Sequence, residues 1–476
     1  MNKNLRDFIK ECKERGPDYY VEVNKPLEAD LEPGVIQQKL LGQGRNPIVF
    51  CPEIKGSKFP LVTNLFGSFE TLAIGLGCDP DKMTRDEVYD VLRHKVATKV
   101  EPTWVPPEEA PVKEVKYLED DVDLSILPIS HNSVLDQGKY IGAGFMIAKW
   151  PDTGEANAGV YRHVVMGKDV LGCMINPGND GAYIARGYAE RGEKMEVALV
   201  IGHHSAIFQA SLAKQVVELD LMGGYLGEPL EVVRGETVDL PIPAQAEMVI
   251  EGVINPSEMS TDGPYAEYLG YYGVSDKPCY VINVTAITMR KDAIYHHLDS
   301  AHPEHTRSGS LIKRIQLLDK MKEQFPTIKD ITTGGLGTYI SMKQRVPGEA
   351  KQAGLVAVSD NYGKHVVVVD DDVDIHKEGE VLWAISTRMI PDVDLIILPN
   401  IKGAHLDPAS YNEARTGRGP MTTHMVIDAC VPVEKEWETR IRPDEHLWET
   451  MKLEDYLDPQ YLKEGTGEGW THMPMY

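Results

Sequence analysis

Nowhere in its 476 residues does the chain hold a run of 18 apolar residues, which excludes a membrane-spanning helix of ordinary length. The opening stretch, MNKNLRDFIKECKERG, lacks the apolar core of an export signal, so a cytoplasmic protein is expected. Cysteine is sparse and scattered. Cys12, Cys51, Cys78, Cys173, Cys279 and Cys430 form no CxxC pair, which argues against a zinc ribbon or disulfide framework and for reduced thiols. Basic charge is short: 49 Lys and Arg face 73 Asp and Glu, and the resulting −24 repels nucleic acid and anionic lipid. An anionic substrate or phosphate therefore needs a local cationic site. Repeats and low-complexity tracts are missing too. The glycines of TTGGLGTY (Gly334, Gly335, Gly337) miss the GxGxxG spacing, so no dinucleotide fold is expected.

What is present reads as a mixed α/β chain of two or three domains, with 42 Gly and 31 Pro supplying turns. Leu5, Phe8, Ile9 and Cys12 share one face of an amphipathic helix. Strand, helix (31–41) and two more strands (46–54, 59–65) follow. Pro102, Pro106, Pro107 and Pro111 mark a boundary, giving an N-terminal α/β domain over 1–112. Over 113–310 the runs YIGAGFMIAKW, AGVYRHVVMG, KMEVALVIG, AEMVIEGVI and CYVINVTAITMR predict an antiparallel sheet or barrel. In the last run Tyr280, Ile282, Val284 and Ala286 fall on one face. A connecting helix is expected over 311–330 and a second α/β domain over 331–476. There HVVVVDDDVDI, EGEVLWAISTRM and DLIILPN read as strand, helix and strand, a βαβ unit with a parallel pair and right-handed crossover. The polar tail after 440 is expected to pack on the body or a neighbouring subunit.

Four segments can carry chemistry. In Asn157-Ala-Gly-Val-Tyr-Arg162, read as one extended strand, Asn157, Gly159 and Tyr161 face one side and Val160 and Arg162 the other. The Asn carbonyl suits a hard cation and the Arg fork a carboxylate or phosphate, although an exposed Arg on so acidic a surface needs no function. In TDGPYAEY, Asp262 and Glu267 lie five residues apart on a loop stiffened by Pro264. Such a loop can offer one acid as proton donor while the other orients a cation; it also reads as a solvated turn. Glu218, before Gly223 and Gly224, reads by default as a surface helix acid. The stretch 295–307 holds His296, His297, His302, His305 and Arg307, but its spacing fits neither HExxH nor paired knuckles, and Pro303 breaks a continuous helix.

Taken in order, NLRDFI, VTNLFGS (62–68), DDVDLSILPI (120–129), NAGVYR, DGPYAEYLGYY and DDDVDI…VLWAISTRM resemble landmarks of the UbiD family of prenylated-flavin-dependent decarboxylases, over nearly the whole chain. The resemblance implies an N-terminal α/β domain, a central split β-barrel binding the flavin, and a C-terminal α/β domain for oligomerisation. It implies prenylated FMN held through Mn²⁺, with K⁺ as a further ion, Asn157 and Glu218 as metal ligands, and Val160, Tyr161, Arg162, Met174, Ile175, Asn176, Asn179 and Asp180 around the cofactor. Arg162 and Asp262 orient the substrate carboxylate and Glu267 protonates the carbon that loses CO₂. Two positions depart from the family pattern. Asp262 stands where Glu is usual, with a shorter reach, and the loop 176–180 lacks the His that many members place there. Asn179 or Asp180 substitutes for it, or water and backbone do.

The substrate expected from this resemblance is an aromatic, heteroaromatic or α,β-unsaturated acid, with His296, His302, His305 and Arg307 lining its pocket. Further expectations are a flavin prenyltransferase as cofactor supplier, carboxylation at high CO₂, and a homo-oligomer, dimer or hexamer. Two rivals stand beside it: a metal-dependent hydrolase built on His296, His302 and His305, and a non-catalytic assembly subunit.

Overall fold

The structure is a computed structural model that describes residues 3–213, 217–273, 276–308, 310–334, 337–359, 364–403, 406–410, 421–441 and 444–458. It falls into two compact units, Met1–Lys313 and Arg314–Tyr476. The first takes in both the expected N-terminal and central domains.

The opening helix is Leu5–Arg15, started by the Asn4 side chain, which accepts from the Arg6 and Asp7 amides, and it buries Leu5, Phe8, Ile9 and Cys12 as their spacing predicts. A four-stranded sheet orders Tyr20–Glu22, Ile48–Cys51, Leu61–Thr63 and Tyr295–His297. Its last member arrives from far along the chain and runs parallel to Leu61–Thr63.

The site is built on the nine-stranded central sheet. Its path runs Tyr140–Ile141, Arg162–Val165, Val170–Met174, Lys277–Met289, Met248–Asp262, Met195–Ile201, Gly144–Lys149 and Ala156–Val160, and Val115–Leu118 pairs onto Lys277–Met289. The long hairpin Met248–Asp262/Lys277–Met289 carries two register shifts, between Glu251 and Gly252 and between Ile254 and Met259, where bulges add curl. Ile282, Val284 and Ala286 are buried while Asn283 between them is exposed, the alternation expected of a half-buried strand. Leu199, Ile250, Ile282 and Ile287 belong to the core beneath, each worth about 2 kcal/mol of burial.

Asn157 to Arg162 is not one strand. Ala156–Val160 and Arg162–Val165 are separate strands near opposite ends of the sheet path, joined only through Tyr161. The curled sheet brings its two ends together at this residue, giving a half-barrel. The single alternation expected across 157–162 is therefore interrupted at Tyr161. The Tyr161 hydroxyl accepts from the Gly181 amide at 3.1 Å, and the ring lies against Gly159 and Gly181, where an added Cβ would come within 2.5 and 2.7 Å of the phenol oxygen.

In the second unit a five-stranded sheet orders Ile328–Gly334, Gly337–Met342, His365–Asp370, Met421–Ala429 and Leu395–Lys402. The expected connecting helix is Ser310–Gln324, and the chain is already strand at Ile328. The βαβ expectation is corrected. His365–Asp370 pairs in parallel with Gly337–Met342 and with Met421–Ala429, whereas Leu395–Lys402 is an antiparallel edge strand on Met421–Ala429. Pro399 explains the edge: it lacks the ladder N–H, and it sits at a register shift between Leu398 and Ile401. Of the tail, only the part up to residue 458 lies within the described residues. No helix among the described residues is long and apolar enough to cross a membrane.

Candidate active site

Arg162 opens its strand and shares a rung with Met174. Asp262 closes the long hairpin strand, and the loop beyond it carries Glu267. Curling of the sheet brings these groups together across 100 and 105 residues of chain. The Arg162 Nε donates to Asp262 Oδ2 at 2.6 Å, and Nη1 donates to Glu267 Oε1. The shorter Asp at 262 thus reaches the guanidinium. Side-chain exposures of 10, 1 and 6 % for Arg162, Asp262 and Glu267 make this a dry network. Arg162 Nη2 is buried without a hydrogen-bond partner among the described residues, a donor left for something else.

Residues that sequence reasoning missed complete the network. The Tyr140 hydroxyl donates to Asp262 Oδ1 at 2.6 Å, so both Asp262 oxygens are held. Tyr265 lies under the guanidinium, 4.6 Å from ring centroid to Arg162 Cζ, and packs on Tyr140 at 4.5 Å. Ser300 Oγ donates to the Tyr265 hydroxyl at 2.9 Å. The loop itself is fastened by Asp136, which accepts from the Ala266 amide at 2.8 Å and from the Asn132 and Ser133 amides at 3.2 and 2.9 Å. Tyr265 was visible inside the DGPYAEY motif; Tyr140 and Asp136 carried no local signal.

Burial raises the proton affinity of Glu267, and the adjacent Arg162 offsets this only in part. The same burial disfavours the Arg162 cation, but Glu267 and Asp262 together outweigh it and keep it charged.

A second group forms around Glu218, the first residue of the helix Glu218–Leu226. It is buried, unlike the surface acid its sequence suggests. The Asn157 carboxamide donates to both its oxygens at 3.1 Å, and the Ala158 amide donates at 3.3 Å. Burial, incompletely answered by these neutral donors, pushes the Glu218 carboxyl up to about 7. Val160 is half-buried and Ile175 buried; Asn176, Asn179 and Asp180 lie half-buried where the strand Val170–Met174 leads into the helix Asp180–Arg191.

The histidines are mostly engaged by protein. His296 Nε2 lies 3.5 Å from Glu304 Oε1, its ring set edge-on to Phe66 and Phe208. Glu304 also accepts from the Asn64 and Leu65 amides at 2.8 and 2.6 Å, and its own amide donates to His302 Nδ1 at 3.5 Å. His305 meets the Tyr268 ring of the Glu267 loop, and burial holds it near 4, hence neutral. The Arg307 side chain lies outside the described residues. Among the described residues no group of three or more His, Cys, Asp or Glu is arranged to hold a metal ion.

Comparison with known proteins adds the family. Sequence profiles of the 3-octaprenyl-4-hydroxybenzoate carboxy-lyase N-terminal, Rift-related and C-terminal domains match residues 13–89, 104–303 and 306–429. The chain belongs to the UbiD family of carboxy-lyases. It is 31% identical to the phenolic acid decarboxylase of Sedimentibacter hydroxybenzoicus over 453 residues, 91% of this chain and 92% of that one. It is 30% identical to the anhydromevalonate phosphate decarboxylase of Methanothermobacter thermautotrophicus, over 90% of this chain and 97% of that one. The UbiD-class enzyme HmfF of Pelotomaculum thermopropionicum, solved with FMN, superposes with a TM-score of 0.86 at 32% identity, covering 95% of this chain and 100% of its own. An evolved dimeric form of HmfF with prFMN gives 0.83 at 31% identity, covering 96% and 100%.

Proposed function

We propose that this carboxy-lyase removes, reversibly and without net redox change, the carboxylate of an aromatic, heteroaromatic or α,β-unsaturated acid, using prenylated FMN anchored through a divalent metal. The reading draws on relatives named for phenolic-acid decarboxylation and for complexes with FMN and prFMN. The observation that carries it is the Arg162 guanidinium, buried between Asp262 and Glu267 with Nη2 unpartnered.

The flavin, when bound, supplies the electron sink that loss of CO₂ demands, because no side chain can hold the electron pair left on a vinyl or aryl carbon. The residues fit such a group. Glu218 is a buried carboxylate faced only by neutral donors, which is the environment a cation corrects, and Asn157 can turn its carbonyl toward the same point by a simple amide flip. Asn157 and Glu218 would hold Mn²⁺ or a similar ion, with K⁺ nearby. Val160, Tyr161, Met174, Ile175, Asn176, Asn179 and Asp180 would border the cofactor.

Arg162, fixed by Asp262 and Tyr140, orients the substrate carboxylate through Nη2. Glu267, whose proton affinity burial raises, acts in its protonated form and delivers the proton to the carbon that CO₂ has left. His305, neutral and beside Tyr268, borders the substrate side together with His296 and His302. The holoenzyme is a cytoplasmic homo-oligomer, dimer or hexamer, supplied by a flavin prenyltransferase.

The test is co-expression with a flavin prenyltransferase, then absorption spectroscopy and a CO₂-release screen over aromatic, heteroaromatic and acrylic acids. Flavin retention with CO₂ release from at least one class is expected. A protein that retains no flavin, or releases no CO₂ from any class, refutes the reading. Glu267→Gln should keep the flavin and lose about 10²–10⁴-fold in turnover; undiminished turnover removes Glu267 from the proton step.

A further inference from the structure

The three charges of the network do not by themselves favour an anionic substrate. With both acids ionised, one guanidinium against two carboxylates leaves a net negative charge. With Glu267 protonated, the Arg162–Asp262 pair is only neutral. A second cation stands next to it. Lys277 opens the strand Lys277–Met289, and its Cα is the register partner of Asp262 at the loop end of the long hairpin. The side chain is half-buried. Burial and the nearby Arg162 lower its proton affinity, while Glu267 and Asp262 pull the other way.

We infer that Lys277 supplies the second positive charge of this pocket, drawing the substrate carboxylate toward Arg162 and opposing the Glu267 carboxyl from the end of the hairpin. With Glu267 protonated, Arg162, Lys277 and Asp262 sum to one positive charge, which an incoming carboxylate cancels. Lys277 also counters the effect of burial on Glu267, leaving a proton that is held yet can be released. The groups facing Glu267 are Arg162 from the strand Arg162–Val165, Asp262 from the end of the strand Met248–Asp262, Tyr265 from the Glu267 loop, and Lys277 from the start of the strand Lys277–Met289. Around them stand Tyr140 on Asp262, Asp136 on the Ala266 amide, and His305, held neutral, beside Tyr268. Lys277 is thus a positioning residue, and its role rests on Glu267 being the proton donor proposed above.

The test has one readout that needs no turnover. Infrared titration of the cofactor-free protein, with the E267Q spectrum subtracted, isolates the Glu267 carboxyl. Lys277→Met should raise its midpoint by about one pH unit, the size of a partly screened neighbouring charge. In the loaded enzyme the same change should raise KM for the acid about tenfold with a smaller effect on kcat, and shift the alkaline limb of the kcat profile upward, because turnover needs Glu267 protonated. Lys277→Arg should restore both. A midpoint unmoved in folded K277M and K277Q, judged by melting, overturns the inference. A midpoint that moves in a protein that turns over no acid upholds the coupling and sinks the decarboxylase reading.

Discussion

Glu218 is 2 % exposed and receives only neutral donors, so burial lifts its proton affinity from the ordinary 4.5 to about 7. Its affinity is raised in the fold, so its favourable contribution is complete below about pH 4.5 and is lost as pH rises through 7. The metal-free protein should therefore lose stability over that window. Mn²⁺ needs the ionised carboxylate, so the rise in Tm it produces should be larger near pH 8 than near pH 5.5. Equal rises by thermal shift would take Glu218 out of the metal shell. Glu218→Gln should stabilise the metal-free protein at pH 8 by up to about 3 kcal/mol, as a neutral amide replaces a stranded charge, and should abolish the Mn²⁺ response. Tyr140→Phe removes one partner of a buried carboxylate and should cost about 1–2 kcal/mol in denaturant unfolding.

Among elements, the corner at Tyr161 decides whether the Asn157 strand and the Arg162 strand meet. Its ring fills the space beside Gly159 and Gly181, so Gly181→Ala, whose Cβ would lie 2.7 Å from the phenol oxygen, must displace it. The expected cost is about 1–3 kcal/mol with weakened Mn²⁺ binding, because Asn157 moves with the corner. Gly178→Ala, with nothing within 4 Å, serves as the control and should change neither. The edge strand Leu395–Lys402 teaches a different lesson. DLIILPN carries the apolar run of a buried strand, but Pro399 forbids a central place, and a reading weighted toward proline would have put it at the edge.

At the scale of the molecule, the net charge of −24 means self-repulsion that salt screens. Raising ionic strength from about 0.02 to 0.2 M should increase Tm by a few degrees, and the protein should not be retained on an immobilised polyanion. A Tm that falls with salt would mean that attractive exposed pairs, such as Lys13–Glu22 and Lys55–Glu28, outweigh the surface repulsion.

Periodicity and composition determined the local matters: the buried face of the first helix, the alternation through Ile282, Val284 and Ala286, and the β-rich middle of the chain. These follow from contacts between residues a few positions apart, which a sequence displays directly. Family-like motifs in a fixed order also named the candidate groups before any of them had a place. Only the tertiary structure decided that Glu218 is buried rather than solvated, that Tyr161 is a corner, that Tyr140 holds Asp262, and that Asp136 fastens the Glu267 loop. Each depends on where a curled sheet brings its ends, and on register summed over strands far apart in sequence. No short window records that sum.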